Sequence, residues 1–412
     1  MLFNPERHEP LLPLPWDEEA ARSAIAEIVA DAESHFDRDT FWPAHPREGE
    51  IFQGLLTGLY FGAAGTIWAL RYLVEHARIS MHIDLEEAME RLRSTPSTHE
   101  DDLAARVWPN TRGATGSFLI GELGILLVHW QLTQERATAD RLFALISQNA
   151  EQATDEMMWG ATGAAFAASF MWEWTHEQRW HDAFLRKIKE LWSRWAFRAE
   201  QNCFLWTQQL YEPEPQIFLG PVHGFSGNAC VMMRAASLMD ERMREEMYDR
   251  IGSVIKATVH VERNMANWPP RADLPPPESG RFDWTVQWCR GAPGVLGAIS
   301  WFPKGRDEVL EALFAAGGEL TFAAGPLTKG PSLCHGTGGN GMLFLKLYER
   351  TADPKWLERA RAFAMHGIDQ YRRLKAQYGQ GWFTLWTGDL GFAVYLSQCI
   401  SKKAGFPTID FF

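Results

Sequence analysis

Seven glycine pairs of the form Gly-x-x-Gly punctuate this 412-residue chain: Gly62/Gly65, Gly121/Gly124, Gly160/Gly163, Gly224/Gly227, Gly291/Gly294, Gly336/Gly339 and Gly388/Gly391. Each opens an apolar, helix-like stretch, such as Thr66-Ile67-Trp68-Ala69-Leu70 or Phe392-Ala393-Val394-Tyr395-Leu396. The first glycines lie 59, 39, 64, 67, 45 and 52 residues apart. A solenoid keeps a fixed period, so these unequal steps suit a closed ring whose connecting loops differ in length. Between the pairs run charged, amphipathic stretches with a 3.6-residue apolar period, clearest over 17–36, 137–153, 178–197, 241–261 and 354–371. No stretch alternates with a period of two for long. The order is a polar outer helix and then a glycine-opened inner helix, seven times over. This predicts an all-α fold, a single-domain α/α toroid with a double ring of seven outer and seven inner helices. It spans 1–412, with 1–50 an N-terminal segment that includes the first outer helix. Glycine suits a crowded inner ring because a missing Cβ permits close backbone approach or a positive φ. Two polar stretches, 94–115 and 267–280, read as surface loops.

Composition narrows the class. Hydrophobic residues make up 46% of the chain, with 19 Trp and 25 Phe, enough for a very large core. No run of 18 apolar residues marks a membrane span, and the start Met1-Leu2-Phe3-Asn4-Pro5-Glu6 lacks the basic and apolar regions of a signal peptide. Five cysteines, an odd and sparse set, argue against a disulfide framework and for the cytoplasm. A net charge of −12 without a Lys/Arg cluster excludes nucleic acid and anionic membrane as expected partners.

Aligning the seven turns on their first glycine locates the chemistry. Immediately before it stand Phe61, Ile120, Trp159, His223, Arg290, His335 and Thr387; one place earlier stand Tyr60, Leu119, Met158, Val222, Cys289, Cys334 and Trp386. Metal-capable residues concentrate in repeats four to six, neighbours around the ring. Cys289 and Cys334 hold one slot in adjacent repeats, so the fold itself would bring their sulfurs together, and His335 adjoins Cys334. Two thiolates and an imidazole are three donors of a tetrahedral zinc shell, and a three-ligand site leaves a position for water or substrate. His223 has no adjacent Cys and is better placed as an acid/base beside the metal. Cys203, Cys230 and Cys399 read as small core hydrophobes, and His129 and His260 as structural.

These residues resemble the lanthionine synthetase C-like family. The matching motifs are Gly220-x-x-His223-Gly224-x-x-Gly227, Trp288-Cys289-x-Gly291-x-Pro293-Gly294 and Cys334-His335-Gly336-x-x-Gly339-Asn340, with Leu385-Trp386-Thr387-Gly388-Asp389-Leu390-Gly391 like the family's last turn. The resemblance, from about residue 50 onward, implies a seven-repeat toroid with zinc on Cys289, Cys334 and His335, and an acid/base at His223. It also implies a role for Glu156, four residues before Gly160. Bacterial cyclases often carry Tyr after the zinc Cys and Arg four residues before it; here those places hold Arg290 and Thr285. The 286–294 stretch is more similar to the eukaryotic relatives, which implies addition of glutathione to dehydroamino acids.

The expected activity is thus zinc-dependent thioether formation, adding a cysteine or glutathione thiol to dehydroalanine or dehydrobutyrine in a peptide or protein. Arg290 would hold the enolate oxygen or a substrate carboxylate, or else serve as a salt bridge. The alternatives are an intramolecular lanthionine-forming cyclase and, from another class, a non-catalytic binding scaffold closed around structural zinc. An α/α-barrel hydrolase would need paired carboxylates at the turns, whereas the turns supply Cys and His.

Overall fold

A computed structural model describes residues 1–48, 55–95, 116–148, 154–210, 214–274 and 283–412. Among them lie fourteen α-helices that alternate between two concentric rings. The outer ring comprises α1 (Glu18–Ser34), α3 (Leu85–Ser94), α5 (Arg136–Gln148), α7 (Gln178–Arg194), α9 (Glu241–Thr258), α11 (Glu308–Ala324) and α13 (Pro354–Tyr378). The inner ring comprises α2 (Ala63–Ala77), α4 (Glu122–Thr133), α6 (Ala161–Thr175), α8 (Phe225–Arg234), α10 (Ala292–Ala298), α12 (Thr337–Thr351) and α14 (Asp389–Ser401). Each inner helix packs on the next, and α14 packs back on α2, closing the ring; α1 closes the outer ring against α13 and α14.

The two rings start their helices by different chemistry. Five outer helices begin on an Asp whose carboxylate accepts a backbone N–H of the first turn: Asp17, Asp84, Asp240, Asp307 and Asp353. Every inner helix instead starts on the first glycine of its pair, with no side-chain cap. The second glycine is required by crowding. A Cβ on Gly294 would stand 1.5 Å from the Trp288 carbonyl oxygen, and the other six second glycines meet the carbonyl six residues earlier at 1.7–2.3 Å. Among the seven first glycines, only Gly291 has a positive φ, 99°. Close approach, more than backbone freedom, explains the motif.

Backbone hydrogen bonds tie neighbouring turns together at one end of the inner ring, from repeat one through four and from repeat five through seven. Tyr60 N donates to Leu119 O (2.8 Å), Leu119 N to Met158 O (3.4 Å), Met157 N to Val222 O (3.0 Å), Cys289 N to Cys334 O (3.2 Å) and Cys334 N to Trp386 O (2.8 Å). The slot aligned in the sequence is therefore a shared position in space.

Two short hairpins depart from the expected helices. The stretches 178–197 and 241–261 leave helix at Arg194 and Thr258. The chain then pairs β1 (Ala196–Arg198) with β2 (Cys203–Leu205), and β3 (His260–Glu262) with β4 (Met265–Asn267). Asn202 and Arg263 take positive φ in the two turns, and Phe197 and Val261, strand-favouring residues, point into solvent. The loop expected at 94–115 and the end of that at 267–280 fall largely outside the described residues. No helix among those described is long and apolar enough to cross a membrane.

The C-terminal tail fills the middle of the ring. The Phe406 ring stacks on Trp288 at 3.8 Å and lies 5.1 Å from Trp386, while Phe412 packs among Phe118, Phe170 and Trp174. Asp410 pairs with the buried Lys346 at 2.6 Å. Phe406 is 1% exposed, so Phe406→Ala is expected to cost about 3–5 kcal/mol. A lowered denaturant midpoint at unchanged slope would register the loss.

Candidate metal centre

Cys289 lies two residues ahead of Gly291, which starts α10, and Cys334-His335 immediately precede Gly336, which starts α12. The backbone bond from Cys289 N to Cys334 O locks these turns side by side. One ligand atom from each of Cys289, Cys334 and His335 lies within 4.8 Å of the others. His335 Nε2 is 3.7 Å from Cys334 Sγ. Among the described residues no further His, Cys, Asp or Glu joins this group. Two soft sulfurs and an imidazole, with no carboxylate, are the donor set that suits zinc.

The sulfurs differ electrostatically. Burial disfavours both thiolates. At Cys289 this is outweighed by a hydrogen bond from Cys334 and by the nearby His335 and Arg290 charges, which pull the thiol well below its ordinary value. At Cys334 burial and the Cys289 sulfur act together and push the thiol up. Of the two thiols, Cys289 is therefore the one more readily ionised.

Each sulfur also receives a hydrogen bond from a neutral side chain. Tyr60 donates its hydroxyl to Cys334 Sγ at 2.8 Å, and Gln287 donates Nε2 to Cys289 Sγ at 2.9 Å. Neither stood out as a functional residue in the sequence. The signal for Tyr60 was its place in the Cys slot of repeat one.

The His223 turn abuts this centre, since a Cβ on Gly220 would stand 2.2 Å from Cys289 O. His223 Nδ1 lies 2.9 Å from Glu156 Oε2. Glu156 is fully buried and accepts backbone N–H groups from Met158 (3.0 Å), Trp159 and Gly160 (3.0 Å). The imidazole stacks on Trp159 at 5.2 Å and 17°, a further contact the sequence did not reveal. With Nδ1 committed to Glu156, proton exchange with a substrate falls to Nε2.

Arg290 is partly exposed. Its backbone pairs with Gln287 in both directions, at 3.0 and 3.1 Å, and no carboxylate of the described residues forms an ion pair with its guanidinium. Asp389, by contrast, turns to Trp382 N at 2.7 Å, and burial pushes its carboxyl up to about 7. It and Glu156 are each absorbed in local hydrogen bonds, so they do not offer the carboxylate pair a hydrolase needs. His129 is held by Glu90 (2.7 Å) and Thr138 (2.8 Å), and His260 packs edge-on against Trp284.

Known proteins bring this arrangement into context. A family model described as lanthionine synthetase C-like protein matches residues 55–411. "Glutathione S-transferase LANCL1" of Danio rerio is 26% identical over 309 residues, covering 71% of this chain and 74% of that protein. "LanC-like protein GCL1" of Arabidopsis thaliana is 39% identical over a local stretch of 103 residues, about a quarter of each chain. Nisin cyclase, a solved structure, superimposes with a TM-score of 0.58 at 14% identity, over 93% of this chain and 94% of that one. That likeness is one of fold, the α/α toroid. With the family model spanning most of its length, the chain belongs to the lanthionine synthetase C-like family.

Proposed function

We propose that this chain, acting as one domain over 1–412, is a zinc-dependent cytoplasmic enzyme. It would add a cysteine or glutathione thiol to a dehydroalanine or dehydrobutyrine residue of a peptide or protein. The observation that carries this reading is the trio Cys289, Cys334 and His335, with ligand atoms within 4.8 Å and no fourth such residue in the group among the described residues. A closed structural shell would need that fourth donor, which weighs against the scaffold reading. Zinc held there would supply the Lewis acidity that keeps a substrate thiol anionic at neutral pH.

The chain's own residues handle the rest. As sulfur bonds to the β-carbon, the π pair moves toward the α-carbon and its carbonyl oxygen. The thiol has given up one proton and the α-carbon takes one, so the addition needs neither oxidant nor reductant. His223 is the proposed donor through Nε2. Glu156, fixed by three backbone N–H groups, holds the ring through Nδ1 and leaves Nε2 facing the substrate. Arg290, with no carboxylate partner among the described residues, is the proposed anchor for the enolate oxygen or a carboxylate of the thiol substrate.

Glutathione is favoured over an internal cysteine as the thiol, because a relative matched over 71% of this chain is named a glutathione S-transferase; the likeness to nisin cyclase is in fold alone. Incubation with glutathione and a dehydroalanine peptide should add one glutathione mass to the peptide by mass spectrometry. No adduct with the zinc-loaded protein would sink this assignment. Arg290→Met should lower kcat/KM for glutathione by about 10–100-fold, the worth of a hydrogen bond to a charged group, at unchanged zinc content. Arg290→Lys should recover only part of it, since an ammonium does not reproduce the planar fork.

A further inference from the structure

We infer that Tyr60 and Gln287 are positioning residues of the metal centre, one for each sulfur, which set how much charge Cys334 and Cys289 give to the metal. This rests on the reading that the two sulfurs hold zinc. Tyr60 is 4% exposed, so its hydroxyl must find a partner inside the protein. The partner it reaches is Cys334 Sγ at 2.8 Å, from repeat one across to repeat six. A neutral thiol is a weak acceptor, whereas a thiolate makes the charge-assisted bond that a buried hydroxyl needs. The Tyr60 ring is held to that aim by Phe61 edge-on at 4.5 Å and by Trp386 at 5.2 Å, and its backbone N–H by Leu119 O at 2.8 Å.

Gln287 performs the same service from the other side. Its paired backbone bonds to Arg290 close a tight turn around Cys289, and Asn340 Nδ2 holds the preceding Val286 carbonyl at 2.9 Å. The amide is thereby fixed where Nε2 lies 2.9 Å from Cys289 Sγ. Hydrogen bonds to metal-bound sulfur draw charge off the ligand, and such outer partners tune metal affinity and reactivity. One donor per sulfur would leave the metal more electron-poor than bare thiolates would. A thiol arriving at the open position would then ionise more readily.

The test uses the full-length protein loaded with Co²⁺, whose thiolate-to-metal charge-transfer absorption reports the charge on the sulfurs. Tyr60→Phe and Gln287→Met should each move that band to lower energy and weaken Co²⁺ and Zn²⁺ affinity by about 10–100-fold, the range for outer partners of metal ligands. Tyr371→Phe removes another buried tyrosine hydroxyl, one outside this site, and should leave the band in place. Folded, cobalt-loaded variants with the wild-type band and affinity would overturn the inference. If Tyr60→Phe does not fold, Gln287→Met decides by itself, since each sulfur has its own donor. A wild-type protein that shows no thiolate charge-transfer band with Co²⁺ would instead remove the metal reading on which the inference stands.

Discussion

Cys289→Ala, Cys334→Ala and His335→Ala should each drop bound zinc well below one per chain, measured by elemental analysis after purification. Each change deletes one of three clustered donors, so the loss should exceed the roughly 10–100-fold that follows from disturbing an outer partner. The other three cysteines provide the contrast. Burial pushes Cys203 up to about 11, and Cys230 and Cys399 up to about 12. They are inert thiols in the core, away from the trio, and alanine there should leave zinc at one per chain. Full zinc in all three ligand variants would show the site to be wrongly assigned. The helices that present the turns are packed on every side, so metal loss should be seen in folded protein.

The second large effect concerns the pair Glu156 and His223. Glu156→Gln keeps the shape and can still accept backbone N–H groups, but it removes the buried charge that faces His223 Nδ1. The ring then loses the carboxylate that orients it, and its tautomer is no longer enforced. A fall in kcat of roughly 10²–10⁴-fold is expected, the usual weight of a positioned acid/base, and His223→Gln should fall in the same range. Both variants should retain zinc, and KM for the thiol should move far less than kcat. Loss of zinc in His223→Gln would make His223 a ligand and not a proton donor.

The double ring was legible because two separate regularities coincide: an amphipathic period for the outer helices and a glycine pair for the inner ones. The crowding beneath that pair, with Gly294 against the Trp288 carbonyl, makes the motif a physical requirement and therefore a dependable ruler. Once the turns were aligned, the nearness of Cys289 and Cys334 followed from the fold. The hairpins after α7 and α9 were not legible, because Trp195-Ala196-Phe197 and Val259-His260-Val261 continue the apolar spacing of the helices they follow. Only pairing with 203–205 and 265–267 ends those helices. Tyr60 and Trp159 were hidden for another reason. Each is an ordinary core aromatic in sequence, and its contact with Cys334 or His223 depends on reach between repeats, which no local pattern encodes. Glu156 was accessible only through family resemblance, since nothing in its neighbours announces that three backbone N–H groups converge on it.

The most direct test of an open, thiol-activating zinc centre is X-ray absorption at the zinc edge of the purified protein, before and after adding glutathione. Two sulfur ligands should become three. A shell that holds two or more sulfurs and does not change with thiol would contradict this, and would make the zinc a closed structural ion in a binding scaffold.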